Sequence, residues 1–300
     1  MPANRRPPVA VSTGVYSQFP DHASPEAVAD GMERIGAEAY EVLVFGSWKD
    51  LRAAARTIAS AARPVAVVHG EKRVGGLLGS ADPAERRLGQ ELTLAAVDAA
   101  RTLGAPCVNI HVWDLPDSDR VLERNLDALA EILPAVWRSG VRLLAETIPC
   151  QLDVPWRNVQ RILEFCDGVL ADRPAAERAA VPGRESIGVN LDLEFLSWHS
   201  GLETTLGEYV PRWGGRLRNV HVKDHDGKPF IDGRRRYVNP GDGWLDYPRI
   251  FAQLRDAGYA GPLTFEGNVT RAGDREAALS TTRMYLERIT NWADAVWAGG

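Results

Sequence analysis

Apolar runs of strand length alternate with helix-like patterns from one end of this chain to the other. The first run, 7–15 (PPVAVSTGV), precedes a helical pattern over 24–36, where Ser24 suits the N-cap and Pro25 the first turn. Further strands are predicted at 39–46 (AYEVLVFG), 64–70 (PVAVVHG), 106–113 (PCVNIHVW), 141–148 (VRLLAETI), 186–193 (SIGVNLDL), 217–224 (LRNVHVKD) and 262–268 (PLTFEGN). The intervening helices are predicted from Ser47 onward, then over 83–103, 118–139, 154–166, 202–213, 246–259 and 273–297. A loop rich in glycine (Gly70, Gly75, Gly76, Gly79) follows the third strand, and 167–185 reads as an insertion.

Strand–helix units repeated without consecutive strands imply a parallel sheet with right-handed crossovers. Eight such units close into a barrel, so the expected fold is α/β, a (β/α)8 TIM barrel, as a single domain over 1–300. An open doubly wound sheet would carry a glycine-rich dinucleotide turn after the first strand, and 11–18 (VSTGVYSQ) is not one.

Residues two apart in a strand share a face. That groups Asn109 with His111 and Trp113, Asn190 with Asp192, His221 with Lys223, and Thr264 with Glu266. These polar members gather at the C-terminal strand ends, where barrels of this kind build their active sites. Glu146, Asp192, His221 and Glu266 each end one of four successive apolar runs. Buried without a partner, such carboxylates are costly or become neutral, and a cation among them removes that cost. The four therefore read as ligands of one divalent metal ion. Three carboxylates and an imidazole favour Mn²⁺ or Mg²⁺, with Co²⁺, Fe²⁺ or Zn²⁺ as alternatives. His69 and His111 also fall at strand tips; alone, each reads as structural, but three histidines in register point to a site.

Composition narrows the class. Hydrophobic residues make up 45% of the chain, charged residues 25%, and the net charge is −5, which leaves no electrostatic footprint for nucleic acid or an anionic membrane. The only notable basic run is Arg234, Arg235 and Arg236. Cys107, Cys150 and Cys166 are sparse and lack a CxxC spacing, as in a reducing compartment. The segment MPANRRPPVAV holds no apolar stretch of signal-peptide length, and no window approaches the roughly 18 apolar residues of a membrane span. The expectation is a soluble cytoplasmic protein.

LLAET at 143–147, HVKD at 221–224 and the stretch 239–266 (NPGDGWLDYPRIFAQLRDAGYAGPLTFE) resemble the xylose-isomerase-like TIM-barrel superfamily of sugar isomerases and epimerases. That superfamily also holds inosose dehydratase, hydroxypyruvate isomerase and endonuclease IV. By this resemblance Glu146, Asp192, His221 and Glu266 match the ligands of the single-metal members, in which the two glutamates flank the substrate as acid and base. His69 and His111 match histidines that bind substrate in several members, or extra metal in endonuclease IV. The resemblance also implies a homo-oligomer.

Departures narrow it. Strand six of the family often carries Asp-x-x-His, and here the fourth position is Phe195. The Asp-x-His pair of endonuclease IV is absent from RRRYVNPG at 234–241, which argues against a nuclease. Asp224 and Gly227 stand where ketohexose epimerases carry Glu and Arg.

The expected reaction is metal-assisted proton transfer on a sugar or sugar-like polyol ketone through an enediolate, catalysed by Glu146 and Glu266. His111 and Lys223 would bind hydroxyls, and Trp113, with Trp48, would wall the site or simply pack. The alternatives are a dehydratase of the inosose type, since the same enediolate can expel a β-hydroxyl, and a barrel that binds a sugar without turnover. The implied partner is a small sugar or cyclitol.

Overall fold

The computed structural model describes residues 6–17, 22–114, 116–181, 183, 185–228, 230–231, 234–269 and 274–299, with the backbone alone at Arg234. Eight parallel strands close on themselves: β1 (Val9–Ser12), β2 (Ala39–Leu43), β3 (Val65–His69), β4 (Cys107–Ile110), β5 (Arg142–Glu146), β6 (Gly188–Asp192), β7 (Leu217–Val222) and, after a small hairpin, β10 (Leu263–Phe265), which pairs with β1. The expected (β/α)8 barrel is the observed one.

The outer layer consists of α1 (Pro25–Ile35), α2 (Leu51–Ala59), α3 (Val74–Leu78), α4 (Pro83–Leu103), α5 (Leu122–Ser139), α6 (Pro155–Ala171) and α7 (Ala175–Ala180). It continues with α8 (Leu193–Trp198), α9 (Leu202–Thr204), α10 (Val210–Trp213), α11 (Tyr247–Asp256) and α12 (Arg275–Ala298). Ser24 caps α1 through the Ala27 amide as expected. Helix α2 starts later than Ser47: Asp50 accepts from the Ala53 amide, and Phe45 packs edge-on against Trp48 in the intervening turn. The expected helix over 202–213 is present and continuous, with a π-helical turn at Thr205–Tyr209 between α9 and α10. Pro211 lies inside α10, and a proline removes a helical N–H. The expected insertion is the end of a longer α6 followed by α7. The polar loop after β7 holds a hairpin, β8 (Phe230–Ile231) with β9 (Arg234–Arg235), too short for sequence alternation to show.

The main core lies between barrel and helices, with Val108, Leu143, Val189, Val220 and Phe265 facing outward onto buried helical side chains. Inside the barrel an apolar cluster of Val67, Cys107 and Leu144 gives way to a polar interior. Hydrogen bonds between β2 and β7, which are separated by β1 and β10, cross that interior directly. No helix among the described residues is long and apolar enough to cross a membrane.

One buried acid sets the loop that follows Glu146. Asp119 accepts the backbone N–H groups of Gln151 (2.7 Å), Leu152 (3.0 Å) and Asp153 (2.9 Å) and the side-chain amide of Asn158 (3.0 Å). Burial alone would raise its pKa, but these donors hold it at about 2. A depressed carboxyl stabilises the fold above the unfolded-state pKa, and that contribution disappears as pH falls through the folded one. Asp119→Ala is expected to lose about 2 kcal/mol at neutral pH, with the gap to wild type closing between about pH 4 and pH 2. Denaturant melts across that range check it.

Candidate metal centre

At the C-terminal rim of the barrel, β5 to β7 and β10 bring their tips to one point. Register places Asp192 beside His221, His221 beside Thr264, and Glu146 beside Asn190. His221 Nδ1 lies 3.0 Å from Glu146 Oε1, 2.8 Å from Glu266 Oε2 and 3.6 Å from Asp192 Oδ2. One ligand atom from each of the four lies within 4.8 Å of the others. Opposite donors around a single ion at about 2.2 Å are about 4.4 Å apart, so this spacing fits one cation. All four are buried, Glu266 being the most open at 6%.

Local structure orients each candidate ligand. Asp192 closes β6 and caps α8, its Oδ1 accepting the Phe195 N–H at 3.0 Å, so that Oδ2 is turned to the centre. Its own N–H donates to Thr147 Oγ1. Glu146 Oε2 accepts from Asn109 Nδ2 at 2.6 Å and lies 3.3 Å from His69 Nε2 and 3.4 Å from His111 Nε2. His69 Nδ1 meets the Gly70 carbonyl at 2.8 Å, a contact in which the ring nitrogen is the donor. Lys223 Nζ bridges Asp192 Oδ2 (2.7 Å) and Glu266 Oε2 (2.6 Å).

The electrostatics follow from this crowding. Burial would raise the Glu146 carboxyl, but the His221 charge and hydrogen bonds from His111, His221 and His69 hold it well below the usual range. Burial likewise opposes ionisation of Glu266, and Lys223 and His221 reverse that. Burial works against charge on His221, yet Glu41, Glu266 and Glu146 raise its pKa well above the usual value. Lys223 is desolvated and is raised by Asp192, Glu266 and Glu146. His111, also desolvated, is lifted to about 9 by Asp114 and Glu146.

The sequence-predicted ligands, His69, His111 and Lys223 are therefore brought together. The ligand atoms of His69, His111 and Glu146 also fall within 4.8 Å of one another. Trp113 is not part of this group: β4 ends at Ile110, alternation stops there, and the indole sits fully buried in the core, donating Nε1–H to the Pro149 carbonyl. Trp48 donates to the Ala23 carbonyl. At position 195 the phenyl ring lies 4.8 Å from Lys223 Nζ and 5.7 Å from Arg235 Cζ, a cation–π contact in place of an imidazole. Arg235 pairs with Glu194 and Arg236 with Asp226; the side chain of Arg234 lies outside the described residues.

Two contributors escaped the sequence reading. Lys72, in the loop after β3, reaches to 3.9 Å from Glu266. Glu41, fully buried in β2, lies 2.8 Å from His221 Nε2. Its one sequence signal is a carboxylate in the middle of the apolar run AYEVLVF.

The family model of xylose isomerase-like TIM barrels matches residues 29–289, and the chain belongs to that family. It aligns with L-ribulose-5-phosphate 3-epimerase UlaE of Escherichia coli O157:H7 at 25% identity over 214 residues, 70% of this chain and 66% of that protein. Inosose dehydratase of Klebsiella pneumoniae is 31% identical over 83 residues, 23% of this chain and 28% of that one. The chain thus spans just under two thirds of the epimerase's length and little more than a quarter of the dehydratase's.

Among solved structures, D-allulose 3-epimerase from Methylomonas sp. superposes with a TM-score of 0.67 at 18% identity, covering 96% of this chain and 98% of that one. The 3-keto-D-glucoside 4-epimerase of E. coli gives 0.67 at 17%, covering 95% and 100%. At these identities the likeness establishes the shared fold.

Proposed function

We propose that this chain is a metal-dependent sugar epimerase or isomerase that moves a proton on the carbon next to a ketose carbonyl. The observation that carries the reading is the convergence of Glu146, Asp192, His221 and Glu266 on one point at the barrel rim, with both glutamates against His221 Nδ1. The epimerase names among its relatives support it. The oxygen-rich donor set suits Mn²⁺ first, then Mg²⁺. When bound, such an ion supplies Lewis-acid polarisation of the substrate carbonyl and an adjacent hydroxyl.

The side chains do the rest. One glutamate of the pair Glu146 and Glu266, held ionised, takes the proton from one face of the substrate carbon. The other first takes up a proton from solvent and delivers it to the opposite face, and the first then gives its proton back to solvent. Lys223, already paired with Glu266, donates to the developing enediolate oxygen. His111 and His69 hold hydroxyls on the Glu146 side. The substrate is a small ketose or ketose phosphate.

Incubation of Mn²⁺-loaded protein with L-ribulose, L-ribulose 5-phosphate and D-allulose in D₂O, followed by NMR, tests this. Deuterium is expected at the carbon beside the carbonyl, and EDTA is expected to stop its entry. An unsaturated product without exchange in remaining ketose would replace the reading with elimination.

A further inference from the structure

The buried carboxylate of Glu41 has no part in the reaction described above, yet it sits inside the barrel with its side chain wholly excluded from solvent. Its contacts form a chain with a defined direction. Thr264 Oγ1 donates to Asn219 Oδ1 at 2.6 Å, which fixes that amide's orientation and turns Nδ2 toward Glu41 Oε2 at 3.2 Å. The same Oε2 lies 2.8 Å from His221 Nε2. Against a carboxylate oxygen that nitrogen is the donor, so Nε2–H points at Glu41. The other ring nitrogen, Nδ1, likewise faces carboxylates, those of Glu146, Asp192 and Glu266. It is the Nδ1 proton, not the one on Nε2, that an ion among those carboxylates would displace.

We propose that Glu41 is the positioning residue of the centre: it accepts the Nε2–H of His221, fixes the ring's tautomer and rotation, and presents the Nδ1 lone pair to the metal. This rests on the metal reading given under Proposed function. Two features make the bond specific rather than incidental. Glu41 belongs to β2 and His221 to β7, so the contact spans the barrel and no neighbouring-strand register imposes it. A buried carboxylate is also expensive unless it is bonded, and Oε1 has no hydrogen-bond partner among the described residues, which leaves the bonds at Oε2 to hold the group. Carboxylate partners of ligating histidines typically contribute about 10–100-fold to metal affinity.

The test combines titration with Mn²⁺ and ¹⁵N NMR of histidine-labelled protein loaded with diamagnetic Zn²⁺. Wild type is expected to bind one ion per chain and to show His221 protonated at Nε2 and metallated at Nδ1. Glu41→Gln, which keeps length and volume, is expected to bind Mn²⁺ about 10-fold more weakly, and Glu41→Met about 100-fold. A merely structural carboxylate would alter stability but leave tautomer and affinity alone. Unchanged affinity in Glu41→Gln would overturn the proposal. So would an Nδ1-protonated His221 in loaded wild type, a readout that stands even if the variants do not fold. Wild type that binds no ion removes the metal reading itself and this inference with it, an outcome distinct from a normal wild type with silent variants.

Discussion

Glu266→Gln is expected to slow proton exchange on a ketose substrate by about 10³-fold at saturating Mn²⁺, with Glu146→Gln losing at least as much. The amide matches the carboxylate in size and still offers a ligand oxygen, but it cannot take up a proton at neutral pH. Lys223 lies 2.6 Å from Glu266 Oε2 and would hold the amide oxygen, not its NH₂, on that side. At Glu146 the change also disturbs the donors Asn109, His69 and His111, which is why the larger loss is expected there. Steady-state exchange rates, with metal occupancy measured on the same samples, separate lost base from lost ion. A variant that keeps more than about a tenth of wild-type rate removes that glutamate from the proton-transfer role.

Metal loading should produce the largest change in stability. The buried carboxylates of Glu41, Glu146, Asp192 and Glu266 face His221, Lys223 and His111, with Lys72 3.9 Å from Glu266. A divalent ion that displaces the His221 Nδ1 proton would be held by three of these carboxylates and so binds the folded state alone. At free Mn²⁺ of about 100 times its Kd, binding to the folded state alone contributes about 2.7 kcal/mol. For a chain of this size that is a rise in Tm of about 4 °C. His221→Ala is expected to abolish the increment. Scanning calorimetry with EDTA and with Mn²⁺ checks both, and an identical Tm in the two conditions contradicts the argument.

The barrel was legible because each strand is a short apolar run and each unit repeats the order strand then helix. The four candidate ligands were legible for a related reason: Glu146 and Asp192 are the last residues of their strands, while His221 and Glu266 lie within one residue of theirs. Lys223 and His111 follow the same in–out alternation just past a strand end.

That rule fails once the chain leaves the sheet. Alternation carried Trp113 onto the face of His111, but the strand had already ended at Ile110 and the chain turned the indole into the core. Glu41 failed for the opposite reason. It lies within β2, where one polar residue between Tyr40 and Val42 looks like an isolated exception, and its partner His221 lies 180 positions away. Only closure of the sheet brings those two strands face to face. The start of α2 was misplaced because Ser47 and Asp50 both suit a helix cap, and the Phe45–Trp48 contact decides between them.

The most direct measurement is calorimetric titration of chelator-stripped protein with Mn²⁺, on wild type and Asp192→Asn. The account predicts one ion per chain in the wild type and affinity reduced at least about 10-fold in the variant, with its fold retained by circular dichroism. No heat of binding in a folded wild type, or equal binding in both proteins, would contradict a metal centre formed by these strand tips.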